Sequence, residues 1–189
     1  MRSAARRARR GAARIRLLVL DVDGVLTDGG LYYGPSGEDI KRFDVQDGLA
    51  VVAARRAGLS VAVISGRASA AVTRRMAELG ITEVHQGVED KTVVLAALTA
   101  RLGLDLADVA VMGDDLGDLA LMRRVGLALA PGNAVREVRS AADWVSRRRG
   151  GGGAVREAIE LLLKARTAWP PPTSGGPRTE RAAKRPPRS

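Results

Sequence analysis

Leu17-Leu18-Val19-Leu20-Asp21-Val22-Asp23-Gly24-Val25 decides how the rest of the chain is read. Four apolar residues in a row, with no polar alternation, fit a strand buried on both faces, the kind found in parallel sheets covered by helices. The run ends in two carboxylates one residue apart. Gly24 then gives the backbone freedom to leave the strand, so that both acids can turn toward one pocket.

Working outward, Val61–Ile64 and Val109–Met112 are similar apolar runs, with weaker ones at Thr82–His85 and Gly126–Leu129. Amphipathic stretches near 48–57, 68–79, 91–102, 116–124 and 154–164 separate or follow them. Strand and helix alternating at this spacing predict an α/β fold. Right-handed crossovers favour a three-layer α/β/α sandwich around a doubly wound parallel sheet. One segment breaks the rhythm. Leu31–Tyr33, the turn Gly34-Pro35-Ser36-Gly37 and then Asp39–Phe43 read as a β-hairpin inserted straight after the first strand. Past residue 168, the Pro-, Gly- and Arg-rich text offers nothing to bury. The expected organisation is one domain over 17–165, between a disordered basic arm (1–16) and a disordered tail (166–189).

Charge follows the same division. The chain has 189 residues with 31 Lys+Arg against 21 Asp+Glu, a formal net charge of +10. Seven arginines and no acid stand in residues 1–16, and residues 164–189 hold seven basic residues with Glu180. Residues 17–163 keep seventeen basic and twenty acidic residues, net −3. With 3% aromatics and no basic face within 17–163, specific nucleic-acid binding is not expected. Adhesion of the tails to a polyanion would be nonspecific and salt-dependent. Zero Cys excludes a disulfide scaffold, a Cys-ligated zinc site and a thiol nucleophile. No apolar run approaches the roughly 20 residues that span a bilayer, so no membrane partner is expected.

In an open parallel sheet, ligands bind beyond the carboxyl ends of the strands. Asp21 and Asp23 end the first strand there. Gly113-Asp114-Asp115-Leu116-Gly117-Asp118 ends the strand at 109–112 with three carboxylates that repel unless a cation or proton intervenes. A helix N-terminus would satisfy two of them, whereas a hard divalent ion such as Mg²⁺ would serve all three and suits phosphate chemistry. Ser65-Gly66-Arg67 ends another strand with a hydroxyl and backbone N–H groups able to grip a phosphate, although a Ser N-cap explains Ser65 equally well. Lys91, at a helix start, is opposed by the helix dipole and so suits an anionic neighbour.

Taken in order, these signals resemble the motifs of the haloacid dehalogenase (HAD) superfamily. The resemblance goes further. Asp21–Gly29, Phe43-Asp44-Val45-Gln46-Asp47-Gly48, Ser65-Gly66-Arg67, His85-Gln86-Gly87 with Lys91, Gly113-Asp114-Asp115 and Arg149–Glu157 look like the capless 3-deoxy-D-manno-octulosonate 8-phosphate (KDO 8-phosphate) phosphatases, over about residues 17–164. That resemblance implies hydrolysis of KDO 8-phosphate to KDO and phosphate. Asp21 would be the nucleophile, forming an aspartyl-phosphate, and Asp23 the general acid and then base. Ser65 and Lys91 would hold the transferring phosphoryl group. Mg²⁺ would be bound by Asp21, Asp114 and the Asp23 backbone carbonyl, with Asp115 and Asp118 supporting. Gly66, Arg67 and Arg75 are the substrate-binding candidates. Arg67 and Arg75 are expected on one face of a helix, where guanidinium groups could recognise a sugar carboxylate.

Neither inter-motif gap holds a cap domain, so such a site would stay open unless something covers it. The resemblance implies a homotetramer in which a neighbouring subunit completes each site, and a cytoplasmic location. Two alternatives remain at this stage. One is a phosphatase for a nine-carbon 2-keto sugar acid 9-phosphate. The other is a non-catalytic scaffold or polyanion binder.

Overall fold

The computed structural model describes residues 11–34 and 39–170. Leu17–Leu20 forms β1, Ser60–Ile64 β4, Glu83–His85 β5, Val109–Met112 β6, Leu127–Ala130 β7 and Trp144–Val145 β8, and Tyr32–Tyr33 and Asp39–Ile40 form the hairpin strands β2 and β3. The six longer-range strands make one sheet in the order β5-β4-β1-β6-β7-β8, with every pairing parallel. The doubly wound α/β fold read from the sequence is therefore the fold of the chain. The strand that opens the domain lies in the middle of its sheet.

Successive residues of β1 point to opposite faces, as strand geometry requires. Leu18 and Leu20 enter one core cluster, and Leu17 and Val19 the other. Helices α1 (Val45–Arg56), α2 (Ala70–Glu78) and α6 (Ala154–Ala165) cover the first face. Helices α3 (Lys91–Leu102), α4 (Leu119–Met122) and α5 (Arg136–Ala141) cover the second. Both cores are aliphatic and fully dry around β1, so Leu18→Ala should cost roughly 2–5 kcal/mol through lost burial and the cavity left behind.

Helices α1 and α6 are tied by a buried carboxylate. Asp47, in the first turn of α1, accepts from the backbone N–H of Arg156 at 2.7 Å and of Gly153 at 3.2 Å, capping the N-terminus of α6. Burial pushes this carboxyl up to about 6, against the opposing pull of those two N–H groups.

Both expected domain limits move outward. Residues 11–14 are helical, Ala12 and Ile15 are wholly buried, and Arg14 Nε meets Asp108 Oδ1 at 2.7 Å. The basic arm therefore does not begin to leave the fold at residue 16: an apolar pair inside an Arg-rich segment is enough to anchor it. At the other end, Ala168 and Trp169 pack on the core, and the guanidinium of Arg156 lies 5.3 Å from the Trp169 ring centre. Residues 1–10, the hairpin turn 35–38 and the tail beyond 170 lie outside the described residues.

Candidate active site

The loops beyond β1 and β6 close on each other at the carboxyl edge of the sheet. The Asp21 N–H still bonds to Met112 O at 3.0 Å, so Asp21 keeps the strand register. The chain then turns over Val22–Leu26, with Gly24 at φ +88°, where a Cβ would overlap the Asp114 carboxylate. Only glycine meets both demands. Gly150 makes a second close approach: a side chain there would strike the Gly24 carbonyl, so the Gly-rich loop before α6 lies backbone to backbone on the Asp23-Gly24 turn. That loop is held by Gly151 N–H to Val25 O (3.0 Å), Gly150 N–H to Asn133 Oδ1 (2.8 Å) and Arg42 Nη1 to Gly151 O (2.8 Å).

After β6, Asp118 folds back over its own loop. Its Oδ2 accepts from the N–H groups of Asp114 (3.0 Å) and Asp115 (3.4 Å), while Oδ1 accepts from Lys91 Nζ at 2.7 Å. Lys91 is the first residue of α3, whose N-cap, Asp90, accepts from the Thr92 N–H at 2.8 Å. The same Nζ reaches Asp21 Oδ1, also at 2.7 Å. Lys91 thus bridges the loops after two different strands.

Carboxylate oxygens of Asp21, Asp114 and Asp118 lie within 4.8 Å of one another. Burial pushes the Asp21 carboxyl up to about 6, the Asp118 charge adding to the effect and Lys91 opposing it. Burial, then the charges of Asp21, Asp118 and Asp115, push Asp114 up to about 7. Burial works against the Lys91 ammonium too, but Asp21 and Asp118 outweigh it and hold its pKa above the ordinary lysine value. The cluster is short of positive charge. Hard carboxylate donors at this separation, two of them with pKa values raised by burial and by neighbouring acids more than Lys91 lowers them, fit a small divalent cation.

Asp21, Asp23, Ser65, Gly66, Arg67, Lys91, Asp114, Asp115 and Asp118 all line one open cavity of about 410 Å³. Ser65 is buried, and its Oγ accepts from the Arg67 N–H at 3.3 Å. It is not the cap of α2, which begins five residues later; Gln86 serves there instead, its Oε1 accepting from the Ser69 N–H at 2.9 Å. Asp115 touches the cavity, yet its Oδ1 is taken by the Leu116 N–H at 2.7 Å and it stands outside the acid cluster. Its part in the described geometry is capping.

Arg75 is not at the site. Because α2 starts at Ala70, Arg67 belongs to the loop before the helix and shares no helical face with Arg75. Arg75 sits in the last turn, paired with Glu78 at 3.1 Å and packed where Gly48 of α1 leaves room for its guanidinium. His85 is also absent from the cavity lining, its Nε2 lying 3.5 Å from Glu83 Oε2.

One residue at the site was missed in the sequence. Lys41, directly after β3, is buried and places Nζ 2.5 Å from Asp23 Oδ1. Arg67 Nε approaches the other oxygen, Oδ2, at 3.9 Å. Asp23 therefore stands between two cations while Asp21 stands among acids. The available signal was a lysine in the second strand of the inserted hairpin, two residues before Phe43.

A central parallel strand ending in Asp-x-Asp, joined through a lysine to an acidic loop at the end of the neighbouring strand, is the arrangement of a HAD-type hydrolase, and residues 78–159 match the model of the haloacid dehalogenase-like hydrolase family. The chain is 45% identical over 154 residues to the 3-deoxy-D-manno-octulosonate 8-phosphate phosphatase KdsC of Escherichia coli K12, which covers 82% of each protein. It superposes with a TM-score of 0.83 and 41% identity on the Moraxella catarrhalis KDO 8-phosphate phosphatase in complex with magnesium, phosphate and KDO, over 89% of this chain and 94% of that one. The cobalt-bound enzyme of Haemophilus influenzae gives a TM-score of 0.81 at 38% identity, over 83% and 92% of the two chains. The chain belongs to the KDO 8-phosphate phosphatase family.

Proposed function

We propose that the protein is a Mg²⁺-dependent phosphatase that hydrolyses KDO 8-phosphate to KDO and phosphate. The observation that carries the reading is Lys91 Nζ, 2.7 Å from both Asp21 and Asp118, in a cavity that also gathers Asp23, Ser65 and Asp114. Asp21 attacks phosphorus through a carboxylate oxygen and the phosphorus–oxygen bond to the sugar breaks, leaving an aspartyl-phosphate. Asp23 gives its proton to the departing sugar oxygen, then takes one from the water that attacks the aspartyl-phosphate. That second attack frees phosphate and restores the Asp21 carboxylate. Ser65 Oγ and the Lys91 ammonium meet phosphoryl oxygens, where fixed donors and positive charge count most in a site screened from water. Asp118 keeps Lys91 and the Asp114 backbone in place. The ion would be held by Asp21, Asp114 and the Asp23 carbonyl, and when bound it supplies the positive charge that the cluster lacks.

Arg67 and Gly66 at the cavity wall are the groups we assign to the sugar acid. The scaffold reading gains no support from the site, since it gives no account of a buried lysine shared by two strand-end carboxylates. We further propose a homotetramer built through the hairpin, and a cytoplasmic location. Leu31, Tyr32, Tyr33, Ile40, Val45 and Leu49 are large apolar side chains left exposed on the hairpin and the start of α1, which is what an unfinished interface presents. No described helix is long and apolar enough to cross a membrane.

Phosphate release from KDO 8-phosphate, measured with and without Mg²⁺ and in Asp21→Asn, tests the reading. Turnover should need the ion and vanish in the variant. Equal turnover after chelation, or an active Asp21→Asn, would sink it.

A further inference from the structure

We propose that Lys41 is the positioning residue of the proton shuttle: its ammonium holds Oδ1 of the Asp23 carboxyl group, so that Oδ2 is the oxygen that carries the proton and meets the leaving oxygen. The inference rests on the reading of Asp23 as general acid and adds the group that holds it.

Three observations converge. Lys41 Nζ lies 2.5 Å from Asp23 Oδ1, and the Lys41 side chain is only 1% exposed. A lysine is buried at a cost unless it is paired, and the Asp23 carboxylate is a partner that helps keep it under the hairpin. Its backbone is also fixed from both sides. Ile40, just before it, pairs with Tyr32 in the hairpin, and Phe43, just after Arg42, bridges to Thr27 beyond the Asp23 turn. Arg42 in turn bonds to Gly151 O. The ammonium is therefore delivered to Asp23 from a braced segment.

Arg67 shows what Lys41 prevents. Its Nε is 3.9 Å from Asp23 Oδ2, and its side chain is half exposed at the cavity wall. Without Lys41, the nearest cation to Asp23 is the one assigned to the substrate, and the carboxylate would turn toward it. That swing moves the acid off the leaving oxygen and neutralises a substrate-binding group in one event. A general acid acts only within hydrogen-bond reach of the atom it protonates, and displacement by about 1 Å can cost on the order of 10²-fold.

Leaving-group dependence distinguishes this role from a structural one. An alkyl phosphate such as KDO 8-phosphate needs its leaving oxygen protonated, while p-nitrophenyl phosphate expels a stable phenolate and does not. Wild type, Lys41→Met, Lys41→Arg, Asp23→Asn and the Lys41→Met/Asp23→Asn double variant would be assayed with both substrates at saturating Mg²⁺. In Lys41→Met the ratio of kcat/KM for the alkyl to the aryl substrate should fall on the order of 10²-fold. Lys41→Arg should recover most of it, and the double variant should be no worse in that ratio than Asp23→Asn alone. Both substrates are measured on one preparation, so a loss of folded protein cancels from the ratio. An unchanged ratio in Lys41→Met, or losses that add in the double variant, overturns the proposal. Wild type that turns over other sugar phosphates but not KDO 8-phosphate overturns the substrate reading alone, and the Lys41 ratio is then read on those sugars. No turnover of any alkyl phosphate overturns both.

Discussion

At the carboxyl edge of the sheet, Asp21, Ser65 and Asp118 are buried and each has a polar partner supplied by the same chain. On the hairpin a few residues away, Tyr33 and Ile40 are large side chains about two-thirds exposed (66% and 65%), and the Tyr33 hydroxyl meets Arg67 Nη2 at 3.5 Å. The first region spends its burial on charge and satisfies it internally. The second leaves apolar surface in water, where burial against a partner would be favourable by roughly 25 cal/mol per Å². The difference separates the phosphoryl chemistry, whose groups one chain brings together, from an apolar face that, on the proposed tetramer, a second copy would cover.

The comparison is broken most sharply at its polar end. Asp21→Asn should lose on the order of 10⁴-fold or more in kcat while the melting temperature stays close to wild type, since asparagine keeps an oxygen for Lys91 and removes one charge from a cluster of repelling acids. Removing Lys91 acts on both chemistry and fold: Lys91→Met leaves Asp21 and Asp118 facing each other without a cation, so activity should fall on the order of 10²–10³-fold and stability should fall with it. Thermal denaturation beside steady-state kinetics separates the two variants.

Metal affinity gives a graded test. The ion must displace protons from Asp21, raised to about 6, and Asp114, raised to about 7. Both groups are ionised above pH 7 and take up protons below it, so apparent Mg²⁺ affinity should weaken progressively as pH falls from about 8 to 5. Titration calorimetry at several pH values reads this directly, and a pH-independent affinity would mean that the acid cluster is not the binding site.

At the apolar end, Ile40→Asp should shift the assembled protein toward smaller species in light scattering. Activity should drop about tenfold while the melting temperature of the separated chain barely moves, because an exposed side chain contributes little to its own chain's stability. A monomeric wild type would remove the contrast altogether.

Much of this was legible in the sequence, for reasons visible in particular residues. The strands β1, β4 and β6 are unbroken apolar runs because helices cover both their faces, so their identity needs no knowledge of partners. The aspartates at their ends stood out because like charges after a buried strand require an explanation. What was not legible depended on register and boundaries. Moving the start of α2 to Ala70 takes Arg67 off the helix and carries Arg75 to the far end of it. Three acids in Gly113–Asp118 look alike in text, yet capping geometry sends Asp115 to a backbone N–H and Asp118 to Lys91. Lys41 was hidden because, in the hairpin, the isoleucine faces solvent and the lysine faces inward, the reverse of the usual sorting. Ile15 was hidden by the arginines around it.

The smallest effect concerns the tie between α1 and α6. The folded Asp47 carboxyl is raised to about 6 from an ordinary 3.8, so the folded state binds its proton more tightly than the unfolded chain does. The stabilisation from that proton is complete below about pH 4 and is lost as pH rises through 6, a change of roughly 2–3 kcal/mol. Asp47→Asn keeps an acceptor for one of the two capping N–H groups and removes the buried charge, so its offset from wild type is constant wherever Asp47 does not titrate. Its stability relative to wild type, followed by urea denaturation, should therefore improve between pH 4 and 6 and stay level above. A constant difference across that range would mean that Asp47 is not the titrating group.

The backbone contact between Gly150 and Gly24 carries a consequence for the order in which the protein comes to life. The nucleophile sits on the central strand, but its turn is braced by a loop translated far later in the sequence. Until that late loop has left the ribosome and settled against Gly24, a nascent chain holds its reactive aspartate on an unsupported bend. Competence to transfer phosphate thus waits on that downstream loop and on α6, the helix it leads into.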